Sequence, residues 1–301
     1  MTCWNPVRPE GNDMRSLSAV LTALTCLAAG ALLSASPAAA APRFERYVAL
    51  GDSYAAVGDL LDQYGTPGCF RSHKNYPSYL AAALRPGQFV DSTCGDATTA
   101  NMTTAQFVGL GFNPPQFDAL TPDTDLVSVS IGGNDLSLPL TLGPCAALAV
   151  TDPEGNPCER YNSSAGFDQL TARIENEIRP RVAAVLQGIR DRLPDATIVV
   201  VNYLSPLPAA DGCWPAAPFA RGDVTYLTAA LRRFATMQLE VGAAVGAIGV
   251  DVNAVAGHDM CQPAGTRWIE PLLPAAATTP FHPNASGTRA VAELAVAALA
   301  D

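Results

Sequence analysis

The chain has 301 residues, 49% of them hydrophobic, and a formal net charge of −10. That length is enough for one sizeable domain with its own core. The acidic balance excludes a nucleic-acid surface, which selects cationic faces, and it offers no attraction to anionic lipid.

Leu17 to Leu33 is a nearly unbroken apolar run behind Arg15, and it leads into Ser36-Pro37-Ala38-Ala39-Ala40-Ala41. A basic start, an apolar stretch and a small-residue exit form the pattern of a secretory signal peptide. The run is also long enough for a marginal membrane anchor, but the alanine exit followed by Pro42 favours cleavage. Residues 1–41 therefore read as a leader and residues 42–301 as the mature domain, secreted to the exterior. Met14 offers a second possible start, and Cys26 lies in a poor context for lipoprotein acylation. Two basic and two acidic residues precede Pro42, so cleavage leaves the net charge at −10.

Phe44 to Leu50 reads as a first strand, ended by Gly51. Asn75 to Leu84 has helical character, with Pro77 tolerable in its first turn. Gln88 to Thr93 and Leu126 to Ile131 are the second and third strands, the latter ended by Gly132-Gly133. Gly143 to Ser164 carries two cysteines and a Pro-Glu-Gly-Asn-Pro segment and reads as a surface excursion. Between Phe167 and Leu193 apolar residues recur every three or four positions, which predicts a long amphipathic helix kinked at Pro180. Thr197 to Val201 is a fourth strand, Val224 to about Val245 a helix, and Ala247 to Val252 a fifth strand. An irregular stretch from His258 to Pro283 precedes a closing helix from Asn284 to Ala300. Strands alternating with helices predict a single-domain three-layer α/β/α sandwich around a mainly parallel, doubly wound sheet of the flavodoxin-like kind. Such folds place their sites beyond the strand ends, where most chemically interesting segments of this chain fall.

Three of those segments stand out: Gly51-Asp52-Ser53-Tyr54, Gly132-Gly133-Asn134-Asp135 and Phe281-His282-Pro283-Asn284. Each alone is ordinary: a turn opening a helix, a tight turn, and a histidine packed before proline. Their order changes the reading, because Ser53, Asn134 and His282 all fall at one edge of the sheet. A serine hydroxyl is a poor nucleophile until a neighbouring base accepts its proton, and His282 supplies that base. The developing oxyanion needs preorganised donors, which the Asn134 amide and the Ser53 backbone N–H at a helix start could provide.

These residues resemble the SGNH, or GDSL-type, hydrolases, and among them the secreted actinobacterial esterases and lipases. The resemblance runs from Tyr47 to the end of the chain. It rests on Ala49 to Tyr54, Asn75-Tyr76-Pro77, Cys94 to Met102, Ile131 to Asp135, Asp211-Gly212-Cys213 and Pro280 to Gly287. It implies a secreted serine hydrolase that cleaves carboxylic esters through an acyl-enzyme, with Ser53 as nucleophile, His282 as general base and Asn134 as an oxyanion donor. It also implies sequential pairing of the six remaining cysteines: Cys69 with Cys94, Cys145 with Cys158, and Cys213 with Cys261. The residues alone imply three disulfides in an exported protein and leave the connectivity open.

Two positions depart from the family pattern. Its second block usually reads Cys-x-Gly-Ala-Thr-Thr, with the glycine N–H in the oxyanion hole, whereas this chain has Cys94-Gly95-Asp96-Ala97-Thr98-Thr99. Gly95 and Asp96 are therefore both named as the source of that N–H; aspartate tolerates unusual backbone regions better than most residues. Many members also carry an aspartate three residues before the histidine, where this chain has Thr279. The expected substitute is the Thr279 backbone carbonyl, which can accept the imidazole Nδ1–H and fix its tautomer. The N-terminal dipole of the last helix would help keep His282 neutral.

No cofactor is expected, and His73 and His258 read as loop residues far from any metal-ligand spacing. The expected partner is a small-molecule or lipid ester, bound by a monomer with no obligate protein partner. Two other readings compete: a carbohydrate O-deacetylase, needing a small pocket and a polar platform, and a secreted binding module on a dead hydrolase fold. Leu136 to Leu140 and Trp268 to Leu273 offer apolar material that favours acyl chains. No Gly-x-Ser-x-Gly elbow occurs, which disfavours the other common α/β-hydrolase class.

Overall fold

The computed structural model describes residues 43–300 except 110 and 165; the expected leader, with Met14 and Cys26, lies outside the described residues. Five parallel strands form the central sheet: β1 Arg46–Gly51, β2 Gln88–Asp91, β3 Leu126–Ser130, β4 Thr197–Val201 and β5 Ile248–Val250, in the spatial order β2-β1-β3-β4-β5. Each predicted strand is present: Thr197–Val201 has its predicted bounds, and the other four differ by one or two residues at an end. Tyr47 pairs with Phe89 on one side and with Leu126 on the other, so β1 is central and buried.

Alternation along the strands supplies both faces of the sheet. Val48 and Leu50 of β1, with Val127 and Val129 of β3, meet Val182, Leu186 and Phe234 on one side. Tyr47 and Ala49, with Val199 and Val201 of β4, meet Leu80 and Ala295 on the other. Helices α2 (Tyr76–Leu84) and α8 (Ala285–Ala300) cover this second face, while α5 (Gln169–Arg173), α6 (Arg179–Arg192) and α7 (Val224–Ala244) cover the first. The caps are local and readable. The Asn75 side chain accepts the Ser78 N–H at α2, and Asn284 accepts the Ser286 and Gly287 N–H groups at α8.

Two expectations need correction. The excursion from Gly143 to Ser164 is largely helical: α3 spans Leu138–Ala149 and α4 spans Pro157–Asn162. Gly143-Pro144 reads as a break, yet α3 carries Pro144 in its interior, forgoing one backbone N–H. The Cys145–Cys158 bond holds α3 against α4. The long helix is interrupted ahead of Pro180 by a single π-helical turn, Ile174–Ile178, between α5 and α6. A wider turn there absorbs the irregularity that the sequence predicts as a kink.

Cysteines pair sequentially, Cys69 with Cys94, Cys145 with Cys158 and Cys213 with Cys261. The first pair ties the loop after β1 to the loop after β2. The third ties the loop after β4 to the stretch before α8, so two of the three brace the edge where the strands end.

Candidate active site

β1 leaves the sheet through Gly51, whose φ of 148° and close approach to β3 both require glycine: a Cβ there would lie 2.4 Å from the Ser130 carbonyl oxygen. Gln116 holds this exit from both sides, accepting the Gly51 N–H at 2.7 Å and donating to the Gly51 carbonyl at 2.9 Å. The Asp52 carboxylate then caps the short helix α1 (Ser53–Ala56) by accepting the Tyr54 N–H at 3.0 Å. Its other oxygen accepts a short hydrogen bond from the Tyr203 hydroxyl. Asp52 is 1% exposed, and burial pushes its carboxyl up to about 7 despite these hydrogen bonds. Ser53 follows at the first position of α1. Its hydroxyl lies 2.8 Å from His282 Nε2.

The histidine is carried by a tight turn. The His282 N–H donates to the Thr279 carbonyl at 3.3 Å, Pro280 occupies the second position, and Phe281 has φ 63°. Proline followed by a positive φ is the pattern of a type II turn. This corrects the expected support for the ring: Nδ1 faces the Pro280 carbonyl at 2.8 Å, not that of Thr279. The turn's own hydrogen bond uses the Thr279 carbonyl, which leaves the central peptide to face the imidazole. The Tyr54 hydroxyl donates to the Phe281 carbonyl at 2.8 Å, and its ring lies 5.3 Å from the imidazole, so helix α1 and the histidine's turn are fastened together.

Neither nearby acid reaches the ring. Glu270 accepts from Arg267, Asn284 and the Ala275 N–H, and Asp259 accepts from the Cys261 N–H and Gln262. His282 lies below its ordinary pKa, because desolvation of the half-buried ring outweighs the Pro280 carbonyl and the Asp96 charge.

The loops after β2 and β3 meet beside Ser53. The Gly95 N–H is occupied by the Cys69 carbonyl at 2.8 Å, which removes Gly95 as a donor. Asp96 takes φ 60°, and its N–H, like that of Ser53, has no hydrogen-bond partner among the described residues. Asn134 Nδ2 donates to the Ala97 carbonyl at 2.9 Å, which orients the amide and spends only one of its two N–H bonds. Asp135 locks the two loops by accepting both the Thr99 N–H, at 2.8 Å, and its hydroxyl. Tyr203 accepts the Gly133 N–H at 3.0 Å, so one phenol joins the loop after β3 to Asp52.

Ser53, Asp96, Asn134 and His282 thus border one cavity of about 390 Å³. Its walls are apolar: Leu142 and Ala146 of α3 face Leu227 and Leu231 of α7, with Leu207 and Phe219 contributed by the loop after β4. The apolar segment Trp268 to Leu273 does not line it, and Leu273 is 84% exposed. Among the described residues, no group of three or more His, Cys, Asp or Glu side chains is placed to hold a metal ion.

Residues 49–290 match the model of the GDSL-like lipase/acylhydrolase family. The chain belongs to that family. It is 38% identical to Lipase 2 of Streptomyces coelicolor over 95% of this chain and 97% of the relative, and 30% identical to a lipase of Streptomyces rimosus over 90% and 93%. Among solved structures, it resembles phospholipase A1 from Streptomyces albidoflavus with a TM-score of 0.67 at 25% identity, covering 84% of this chain and 98% of the other. The extracellular lipase of Streptomyces rimosus matches with the same score at 26% identity, covering 84% and 99%. As a GDSL-like lipase/acylhydrolase, the protein is a carboxylic ester hydrolase.

Gln116, Tyr203 and the Pro280 carbonyl are the parts of this GDSL site that sequence reasoning missed. Gln116 opens a short 3-10 turn after Pro114-Pro115, with no motif, and Tyr203 lies two residues past β4. Only the position of Tyr203 beyond a strand end hinted at a role.

Proposed function

We propose that this esterase works through a Ser53–His282 dyad, and the observation that carries the reading is the 2.8 Å contact between Ser53 Oγ and His282 Nε2 at the mouth of an apolar cavity. Ser53 Oγ attacks the ester carbonyl carbon while its proton passes to Nε2. The oxyanion is received by the N–H groups of Ser53 and Asp96 and by Asn134 Nδ2. Collapse expels the alcohol, which takes the proton from His282, and leaves Ser53 acylated. Water, deprotonated by the same nitrogen, then releases the acid and restores the serine. The Pro280 carbonyl holds Nδ1–H and hence the tautomer, in the place a carboxylate takes in a triad. A cavity of this size, walled by leucine, alanine and phenylalanine, suits acyl chains and not an acetyl group on a polar polysaccharide.

The same reading takes the protein as a secreted monomer, cut after Ala41 to leave residues 42–301 as the catalytic domain. Three disulfides are at home in an oxidising exterior, and the similar Streptomyces rimosus lipase is extracellular.

Treatment with a fluorophosphonate followed by peptide mass spectrometry is expected to place one adduct, on Ser53. An adduct on another serine would remove the dyad. The pH profile supplies a second check. The base works only when neutral, and a lowered pKa keeps it neutral to lower pH, so kcat/KM should fall on the acid side with a midpoint below 6.5, the ordinary histidine value. A midpoint near 7 would assign that limb to Asp52 instead.

A further inference from the structure

Gly143 lies in α3, the helix that forms one wall of the cavity, and nothing about its backbone calls for glycine. It is not among the residues with positive φ, and a Cβ built on it meets no atom within 4 Å. The two usual reasons for glycine, a left-handed backbone and a close approach, are therefore both missing. Inside a helix glycine is a poor choice, since its backbone loses more freedom on ordering than that of alanine. What lies beside Gly143 is the cavity: it borders the same space as Leu142 and Ala146, positions that fall on one helical face, and Leu227 and Leu231 of α7 border it too.

We propose that Gly143 is a specificity-determining residue, whose missing side chain leaves room for the acyl chain of long esters between α3 and α7. The inference rests on the acyl-enzyme reading and deepens it by naming the position that sets chain length. A leucine at 143 would occupy the open space along the wall, and carbons far from the carbonyl would lose their seat before the ester group does. Each methylene returned to water weakens binding about 4-fold at the transfer energy of hydrocarbon.

The test compares Gly143→Ala and Gly143→Leu with the unmodified enzyme on 4-nitrophenyl esters from acetyl to palmitoyl. The quantity read is the ratio of kcat/KM for the decanoyl and longer esters to kcat/KM for the acetyl ester. The expected result is a fall of fivefold or more in that ratio for the leucine variant, with the alanine variant between it and the unmodified enzyme. A smaller change, or an equal loss along the whole series, overturns the proposal. Should the leucine variant not fold, the alanine variant decides by the direction of its ratio: a fall supports the proposal, and an unchanged or raised ratio overturns it. Labelling the unmodified enzyme with ethyl and dodecyl fluorophosphonates separates the two readings. No adduct on Ser53 means the nucleophile is wrong, whereas an adduct on Ser53 with an unmoved ratio means that Gly143 alone is wrong.

Discussion

Ser53→Ala is expected to reduce ester turnover by about 10⁴-fold or more, and His282→Ala by a similar factor, while the double variant falls little further. In the proposed dyad nucleophile and base act as one unit, since the serine without its base stays protonated and the base without the serine has nothing to activate, so their losses do not add. The fold should survive the serine change. Alanine suits the first position of α1, and the Asp52 cap, the Gln116 clamp and the Tyr203 hydrogen bond all remain. Stability is expected to change by less than about 1 kcal/mol, the net worth of one hydrogen bond. Turnover of a short 4-nitrophenyl ester, with thermal unfolding of each variant, checks both parts. Losses that multiply in the double variant would mean that Ser53 and His282 do not share one step.

Asn134→Ala is expected to cost about 10²–10³ in kcat with little change in KM, the usual effect of removing one oxyanion donor. The carbonyl oxygen gains its charge only in the transition state, so a donor aimed at it scarcely affects ground-state binding. The Ala97 carbonyl also loses its partner. The loop should nevertheless hold, because Asp135 still accepts both Thr99 groups and the Gly133 N–H still donates to Tyr203. A rise in KM at unchanged kcat would make Asn134 a substrate-binding group and leave the backbone donors of Ser53 and Asp96 to hold the oxyanion. The Ser53 and His282 variants together with the Asn134 variant therefore separate the proposed proton-transfer half of the site from its electrostatic half.

How far the sequence reading reached depended on the range of the interaction. Tyr47 to Leu50 is an unbroken apolar run closed by Gly51, and that local pattern fits a short strand buried on both faces. The caps of α2 and α8 were equally legible, since Asn75 and Asn284 bond N–H groups within three residues. The course of α3 was not. Gly143-Pro144 has the local appearance of a break, yet the helix runs through it from Leu138 to Ala149 and packs on α4, to which Cys145–Cys158 ties it. The same limit explains the imidazole's partner. Counting three residues back from His282 points to Thr279, but the turn spends that carbonyl on its own closure, and Phe281 at φ 63° brings the Pro280 carbonyl to Nδ1 instead.

By itself, then, the sequence determined the order and type of the five strands, the layers they imply, and the positions of Ser53, Asn134 and His282 at one edge of the sheet. These follow from apolar runs and periods, from strand ends and, for His282, from the start of the last helix, which are properties of neighbours in the chain. Only the tertiary structure decided that Asp96 and not Gly95 has an N–H without a partner among the described residues, because the Cys69 carbonyl on another loop takes the Gly95 N–H. It also decided that Gln116 clamps Gly51 across 65 residues and that Tyr203 reaches Asp52 across 151. The cavity between α3 and α7 belongs to the same class. Single polar contacts and the space between two facing helices carry no period, and they exist only once distant segments have been brought together by burial of the apolar faces around them.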